Sequence, residues 1–190
     1  MRLFQKHDQC CSSAKEVSPD MQIQPKLVAF DVDGTLLTSA HTVLPSTKES
    51  LQQLMRDGHH ILLATARPPR SVVKIAEELN INGAISIALN GALIVTSSEI
   101  LWEMPMERSA VEEIVQEARR RDLHANTMAG WDWFVESSSP WCDSEAAIVQ
   151  FRPSIVADLL ADSIPDAHKV LFMGEPEEIA DYRQWANSKN

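Results

Sequence analysis

A parallel α/β core followed by a second, α+β module is the fold class this sequence predicts, and three observations predict it. Short apolar runs over residues 27–30, 60–65 and 83–89 follow one another, and polar residues close each of them. Two segments of helical apolar spacing lie between these runs, so the order is strand, helix, strand, helix, strand. Beyond Ala92 the pattern shifts to short hairpin-like runs mixed with helices. Continuous apolar runs suit strands covered on both faces. Right-handed crossovers make three such strands parallel neighbours, with the helices on the sheet faces.

The elements follow in order. Leu27-Val28-Ala29-Phe30 leads into Asp31 as the first buried strand. After Gly34 the chain is irregular until Pro45 opens a helix with Leu51, Leu54 and Met55 on one face, and Gly58 stands where a C-cap would. Residues 60–65 form the second strand, stopped by Arg67-Pro68-Pro69. Val72, Ile75, Ala76 and Leu79 then fall at i, i+3, i+4 and i+7 of an amphipathic helix. Residues 83–89 supply the third strand, ending at Asn90-Gly91. Residues 92–95 and 99–104 read as a hairpin around Thr96-Ser97-Ser98. Ser109 to Glu112 has the spacing of a capping box, opening a helix with Val111, Ile114, Val115 and Ala118 inward. Residues 124–128 and 131–136 read as strands around Ala129-Gly130, and residues 137–143 as a polar loop. Val156, Leu159 and Leu160 suggest a helix, residues 170–173 a strand, and Pro176 a last helix with Ile179, Tyr182 and Ala186 inward. The expected division is a disordered leader over residues 1–25, a core over 26–103 and a second module over 104–190.

Bulk properties exclude several classes. Hydrophobic residues make up 44% of the 190, enough to build a core. A formal net charge of −10 argues against a general nucleic-acid binder, which needs clustered cations. Arg119, Arg120 and Arg121 close a helical pattern, where cations suit the negative end of the dipole. No apolar stretch approaches the roughly 20 residues a bilayer demands, so no membrane partner is expected. Cys10, Cys11 and Cys142 build neither a disulfide framework nor a zinc site, which favours a reducing, cytoplasmic compartment. Met21 is an alternative start, and the acidic Asp8, Glu16 and Asp20 weaken, without removing, a transit-peptide reading of the leader.

In open parallel sheets, reactive groups gather beyond the carboxyl ends of the strands. Asp31, Thr65 and Asn90 stand at three such ends, so residues distant in sequence share one edge. Asp31 and Asp33, at i and i+2, project to the same side of an extended backbone. Two like charges this close need a neutralising cation or a shared proton. Mg²⁺, a hard cation with oxygen ligands, meets that need and would screen a substrate phosphate. Gly34 allows a sharp turn whose N–H groups, with that of Thr35, could cradle an oxyanion. Asp31 as nucleophile would form an aspartyl-phosphate, and Asp33 would move the protons.

The stretch Val28-Ala29-Phe30-Asp31-Val32-Asp33-Gly34-Thr35-Leu36-Leu37 resembles the first motif of the haloacid dehalogenase-like hydrolase superfamily. Leu62-Leu63-Ala64-Thr65-Ala66-Arg67-Pro68 is similar to the second motif of its Cof-type sugar-phosphate phosphatase branch. Leu89-Asn90-Gly91-Ala92, residues 131–136 and residues 169–178 resemble further segments of that branch. The resemblance implies a Rossmann-like core, three of whose strands are present, with an α+β cap inserted after the third. It implies an Mg²⁺-dependent phosphatase acting on a small phosphorylated metabolite such as a sugar phosphate. Asp31 would be nucleophile and metal ligand. Asp33 would be acid/base and bind the metal through its backbone carbonyl. The Thr65 hydroxyl would hold the phosphoryl group, and Gly34, Thr35, Ala66, Arg67 and Asn90 complete the expected substrate-binding set.

The chain departs from the family pattern in two respects. Ala66 stands where the family usually has Gly, which strains the turn if φ there is positive. The third-motif Lys and the fourth-motif acidic pair, which follow the cap in the family, do not occur, and Lys169 belongs to a cap segment rather than to that motif. The chain is therefore expected to be a truncated form or fragment, incomplete at the C-terminus, with weakened Mg²⁺ affinity and an exposed first strand. A catalytically inactive relative serving as a binding module is the alternative. A response-regulator-like phosphoacceptor would need an acidic pair after its first strand and a Lys after a later one, and the Asp-x-Asp-Gly-Thr turn speaks against it. A phosphomutase differs from a phosphatase only by substrate profile. Arg67 is either a substrate contact or the partner of a carboxylate, and Asn90 either a turn residue or a substrate contact. Trp131 and Trp133 are either packing residues or a lid, while His41 and Cys142 receive no role. Specific substrate and oligomeric state are not legible.

Overall fold

The computed structural model describes residues 24–188. Met21, Cys10, Cys11 and all but the last two residues of the expected leader lie outside the described residues.

A five-stranded sheet is built from β1 (Leu27–Asp31), β2 (His60–Ala64), β3 (Ile85–Ala88), β4 (Leu93–Val95) and β5 (Ile100–Glu103), in that spatial order. β1, β2 and β3 are parallel, as the crossover argument requires, and β3, β4 and β5 form an antiparallel meander. The crossovers are α1 (Pro45–Arg56) and α2 (Pro69–Glu78), each opened by a proline at its first turn. That position suits proline because its missing N–H would have had no partner there. Gly58, at φ +82°, turns the chain out of α1. Val72, Ile75, Ala76 and Leu79 are all buried, so the expected face of α2 is the one that packs.

Burial along β1 alternates between half-buried and exposed, rather than covering both faces. The cause is position: among the described residues β1 is the sheet edge, with β2 on one side only. Asp31 pairs in register with Ala64, which brings Asp31 and Thr65 level at one end of the sheet.

A second sheet runs β8 (Ser154–Ile155), β7 (Asp132–Val135), β6 (His124–Ala129), β9 (Lys169–Met173). With it go α3 (Arg108–Arg120), α4 (Pro140–Val149) and α5 (Pro176–Asn187). Trp133 is buried in β7 and donates from Nε1 to Asn126 Oδ1 at 3.0 Å, which satisfies two buried polar groups at once. Trp133 is therefore a packing residue, and Trp131 packs beside the main apolar cluster. That cluster is continuous across the two sheets: Val72 and Ile75 belong to it, and so do Met128, Trp133, Val135, Cys142, Ala146 and Val149. A smaller one holds Val111, Val115, Leu159 and Ala167.

Three local expectations fail. The Ser109–Glu112 capping box does not form: α3 begins at Arg108, and the Glu112 carboxylate is taken by Arg108 at 3.1 Å. A capping box closes instead at α5, where Glu178 accepts from the Glu175 amide at 2.8 Å. The expected loop over 137–143 is largely helix. Ser139 caps α4 through the Cys142 amide at 3.2 Å and Pro140 follows at the first helical position. Its apolar residues include the exposed Trp141 and Ile148 as well as the buried Ala146 and Val149, so no clean stripe announces it. The helix expected around 156–160 is absent because its amides are spent elsewhere. Val156 donates to the Val135 carbonyl at 2.9 Å and Leu159 to Glu136 Oε1 at 2.9 Å. No helix among the described residues is long and apolar enough to cross a membrane.

Candidate active site

The carboxyl ends of β1 and β2 and the turn after β3 meet at one edge. Asp31 closes β1 and is exposed; its hydrogen bond among the described residues comes from Thr35 Oγ1 to Oδ2, at 3.2 Å. Its other carboxylate oxygen is free for a ligand. Gly34, at φ +78°, folds the chain back so that Leu36 and Leu37 both donate to the Val32 carbonyl at 3.0 Å. Val32 itself is fully buried, which anchors the turn from inside. The Gly34 amide donates to the Leu37 carbonyl at 3.2 Å and the Thr35 amide to Val32 at 3.4 Å, so the expected oxyanion cradle is engaged within the chain. Thr35 holds the longest and weakest of these bonds.

Thr65 is buried, and its Oγ1 accepts from the Arg67 amide at 3.1 Å. Its carbonyl accepts from the Asn90 amide at 3.1 Å, which joins the second and third strand ends. Asn90 adopts φ +60° and Gly91 φ +102°, so Asn90 takes the turn role. Ala66 is not among the positive-φ residues, and alanine in place of glycine therefore causes no strain there.

Arg67 is 6% exposed and serves as a carboxylate partner. Nε lies 2.9 Å from Asp33 Oδ2 and Nη2 2.7 Å from Asp33 Oδ1, a bidentate pair. Nη1 donates to Ser71 Oγ at 3.1 Å and to the Ile148 carbonyl of α4 at 2.6 Å, and Nη2 also meets His41 Nδ1 at 3.1 Å. All five guanidinium protons are thus committed. His41 Nδ1 also lies 3.5 Å from Asp33 Oδ1, so the imidazole faces both members of the pair. Arg67, through its hydrogen bonds and then its charge, holds the Asp33 carboxyl below the usual carboxylate range, against the opposing effect of burial.

Two groups from the second sheet complete the edge. Lys169 Nζ donates to the Ala66 carbonyl at 3.0 Å. Burial lowers its pKa, and the charge of Glu145 from α4 opposes that shift. Glu145 is raised by its own burial, with Lys169 and Arg67 pulling it down and Asp33 pushing it up. His41, Glu145 and Lys169 escape a sequence reading because they come from a loop, a helix and a strand far apart in the chain. Lys169 opens the stretch 169–178 singled out by resemblance in the sequence, but that resemblance assigns it no role at the strand ends. Burial pushes the Cys142 thiol up, as befits an inert packing residue.

Among the described residues no group of three His, Cys, Asp or Glu side chains is placed to hold a metal ion. Asp31 nonetheless suits Mg²⁺ in kind, because that ion binds through one or two carboxylates and keeps several waters. The Asp33 carboxylate is spent on Arg67, so from that residue only the backbone carbonyl remains.

A family model described as haloacid dehalogenase-like hydrolase matches residues 28–190. Phosphatase YwpJ of Bacillus subtilis (strain 168) is 42% identical over 69 residues, 36% of this chain and 24% of that protein. The 5-amino-6-(5-phospho-D-ribitylamino)uracil phosphatase YitU of the same organism is 28% identical over 109 residues, 55% of this chain and 39% of that protein. The crystal structure of a haloacid dehalogenase-like hydrolase from Bacteroides thetaiotaomicron superposes with a TM-score of 0.76 at 27% identity. It covers 85% of this chain and 63% of its own. Against three of the curated relatives, matches span only 35%, 41% and 39% of the relative's length.

Proposed function

The chain belongs to the haloacid dehalogenase-like hydrolases, and from that premise we propose that it is a phosphatase removing phosphate from a small phosphorylated metabolite such as a sugar phosphate. The observation that carries this reading is Asp31, a carboxylate at the end of β1 with one oxygen free of hydrogen bonds among the described residues.

In the proposed course, a carboxylate oxygen of Asp31 attacks phosphorus, the bond from phosphorus to the ester oxygen breaks, and the leaving oxygen takes a proton. Water then attacks the aspartyl-phosphate and gives its proton to a base, which frees phosphate and restores the carboxylate. Asp33 suits the second half as it stands, because Arg67 keeps it ionised. Donating a proton in the first half requires Asp33 to loosen from Arg67. Thr65 Oγ1 lies at the same edge and would orient the phosphoryl group. Mg²⁺, held by Asp31 and the Asp33 carbonyl, would supply charge screening of the phosphate.

A second reading, a relative that binds phosphate without turning over, is favoured by the lack of a third acidic ligand among the described residues. Phosphate release from a panel of sugar phosphates, with and without Mg²⁺ and beside Asp31→Asn, decides between them. Metal-dependent turnover lost in Asp31→Asn is the expected result. Turnover retained in that variant removes Asp31 from the mechanism, and no turnover by folded wild-type chain selects the second reading.

A further inference from the structure

The long cationic side chains that cross between the two sheets are gathered on one side. Arg67, Arg70 and Lys74 reach the Ile148, Trp131 and Gln150 carbonyls, and Lys169 returns to the Ala66 carbonyl. All of these engage residues 66–74, beside β2 and α2, and by themselves would let the second sheet pivot about that side. A further bond lies at the far end of the first sheet. His168 Nε2 is 3.1 Å from Oε2 of Glu103, the last residue of β5.

His168 is buried, and both of its ring nitrogens have a partner. The amide of Gly130, in the turn between β6 and β7, lies 3.1 Å from Nδ1. A backbone N–H only donates, so Nδ1 accepts and the ring proton belongs on Nε2, which donates it to Glu103. The ring is therefore neutral, because an imidazolium would set a second proton against the Gly130 amide. Backbone bonds hold the same place: Met106 donates to the Ala167 carbonyl at 2.7 Å and His168 to the Met128 carbonyl at 2.8 Å. The ends of β2 and β5 lie three strand spacings apart, about 14 Å. Two fastenings at that separation set an orientation, where one alone leaves a pivot.

Building on the phosphatase reading, we propose that His168 is a positioning residue, fixing how the second sheet lies over the strand ends that carry Asp31 and Thr65. It touches no reacting atom. As a neutral imidazole it ties the end of β5 and the β6–β7 turn to the residue before β9. The fastenings at residues 66–74 then act as the second point of support. Releasing the ring leaves those fastenings in place and lets the second sheet rotate about them.

The test is NMR of the full chain, reading the histidine ring nitrogens and the backbone amides, beside turnover of sugar phosphates. In wild type at neutral pH, His168 should show the Nε2–H tautomer; an Nδ1–H or doubly protonated ring overturns the inference. His168→Leu should shift the amides of Thr65, Ala66, Arg67 and Ile148 as well as that of Gly130. Shifts confined to Glu103, Met128 and Gly130 in a folded variant show a local packing role and overturn it. If His168→Leu does not fold, Glu103→Ala cuts the same bond from its exposed end and is read in the same way. Glu103→Gln keeps an acceptor for the neutral ring and should leave those amides in place. Behaviour like that of Glu103→Ala would mark an ion pair and overturn the neutral-ring assignment. In turnover, His168→Leu should lower kcat about 10- to 100-fold with KM little changed, the cost of a displacement of about 1 Å at the reacting groups. An unchanged kcat overturns the inference. A wild-type chain without turnover removes the phosphatase reading alone, because the amide shifts decide the role of His168 without catalysis.

Discussion

The two sheets contribute to their shared boundary in opposite ways. From the five-stranded sheet come long cationic side chains: Arg67 to the Ile148 carbonyl at 2.6 Å, Arg70 to the Trp131 carbonyl at 2.8 Å and Lys74 to the Gln150 carbonyl at 2.5 Å. From the four-stranded sheet come mostly backbone carbonyls. The traffic reverses at Lys169, which crosses to the Ala66 carbonyl. A carbonyl acceptor survives most substitutions of its own residue, whereas a guanidinium donor does not. The boundary is therefore sensitive to sequence on the core side, and on the other side chiefly at Lys169, at Asp132, which accepts from Arg70 at 2.6 Å, and at His168, whose Nε2 lies 3.1 Å from Glu103 Oε2.

Arg67→Met should break this arrangement most. It removes the bidentate partner of Asp33 and the bond to α4 together, and leaves the half-exposed carboxylate with His41 alone, 3.5 Å away. A destabilisation of about 2–3 kcal/mol is expected by denaturant melts. The pH dependence sharpens the assignment. Arg67 depresses the folded pKa of Asp33, so the pair's contribution is fully present above the carboxyl's unfolded value, about 3.9. It disappears as pH falls through the lower folded value. Wild type should lose its advantage over Arg67→Met across that acidic window, and an advantage constant down to acid unfolding would show that the charge pair is not its source.

A smaller effect is expected inside the second sheet's own packing. A Cβ on Gly174 would meet Leu123 Cδ2 at 2.6 Å and Glu178 Oε2 at 2.8 Å, where Glu178 closes the capping box of α5. Gly174→Ala should cost about 1–2 kcal/mol by overpacking, and a melt indistinguishable from wild type would mean the side chains simply move aside. Smallest of all is Ile148→Ala. The residue is 38% exposed and gives Arg67 only its carbonyl. A change below about 1 kcal/mol is expected, less than for a fully buried isoleucine. A loss as large as that of Arg67→Met would contradict the asymmetry between the sheets.

Asp31 and Asp33 repeat the contrast at a finer scale. Two residues apart and on one motif, they are expected from sequence as nucleophile and acid/base, with no sign of which one Arg67 would pair with. Asp31 retains an open oxygen, while Asp33 is claimed by a side chain 34 positions away. Nothing local distinguishes them; only the fold brings Arg67 beside one and leaves the other alone.

The sequence by itself determined the alternation of strands and helices from residue 27 to 103, because apolar runs and helical periodicity are local signals. It also determined which polar residues share the strand ends, since parallel strands put their carboxyl ends on one edge. Only the tertiary structure decided the state of those residues. Leu159 and Leu160 were denied a helix by amides bonded to Glu136 and Asp158, α4 was built from residues with no clean apolar stripe, and Lys169 was carried to Ala66, 103 positions away. Each of these depends on contacts between distant segments, which a local pattern does not encode and which packing selects only once both sheets are in place.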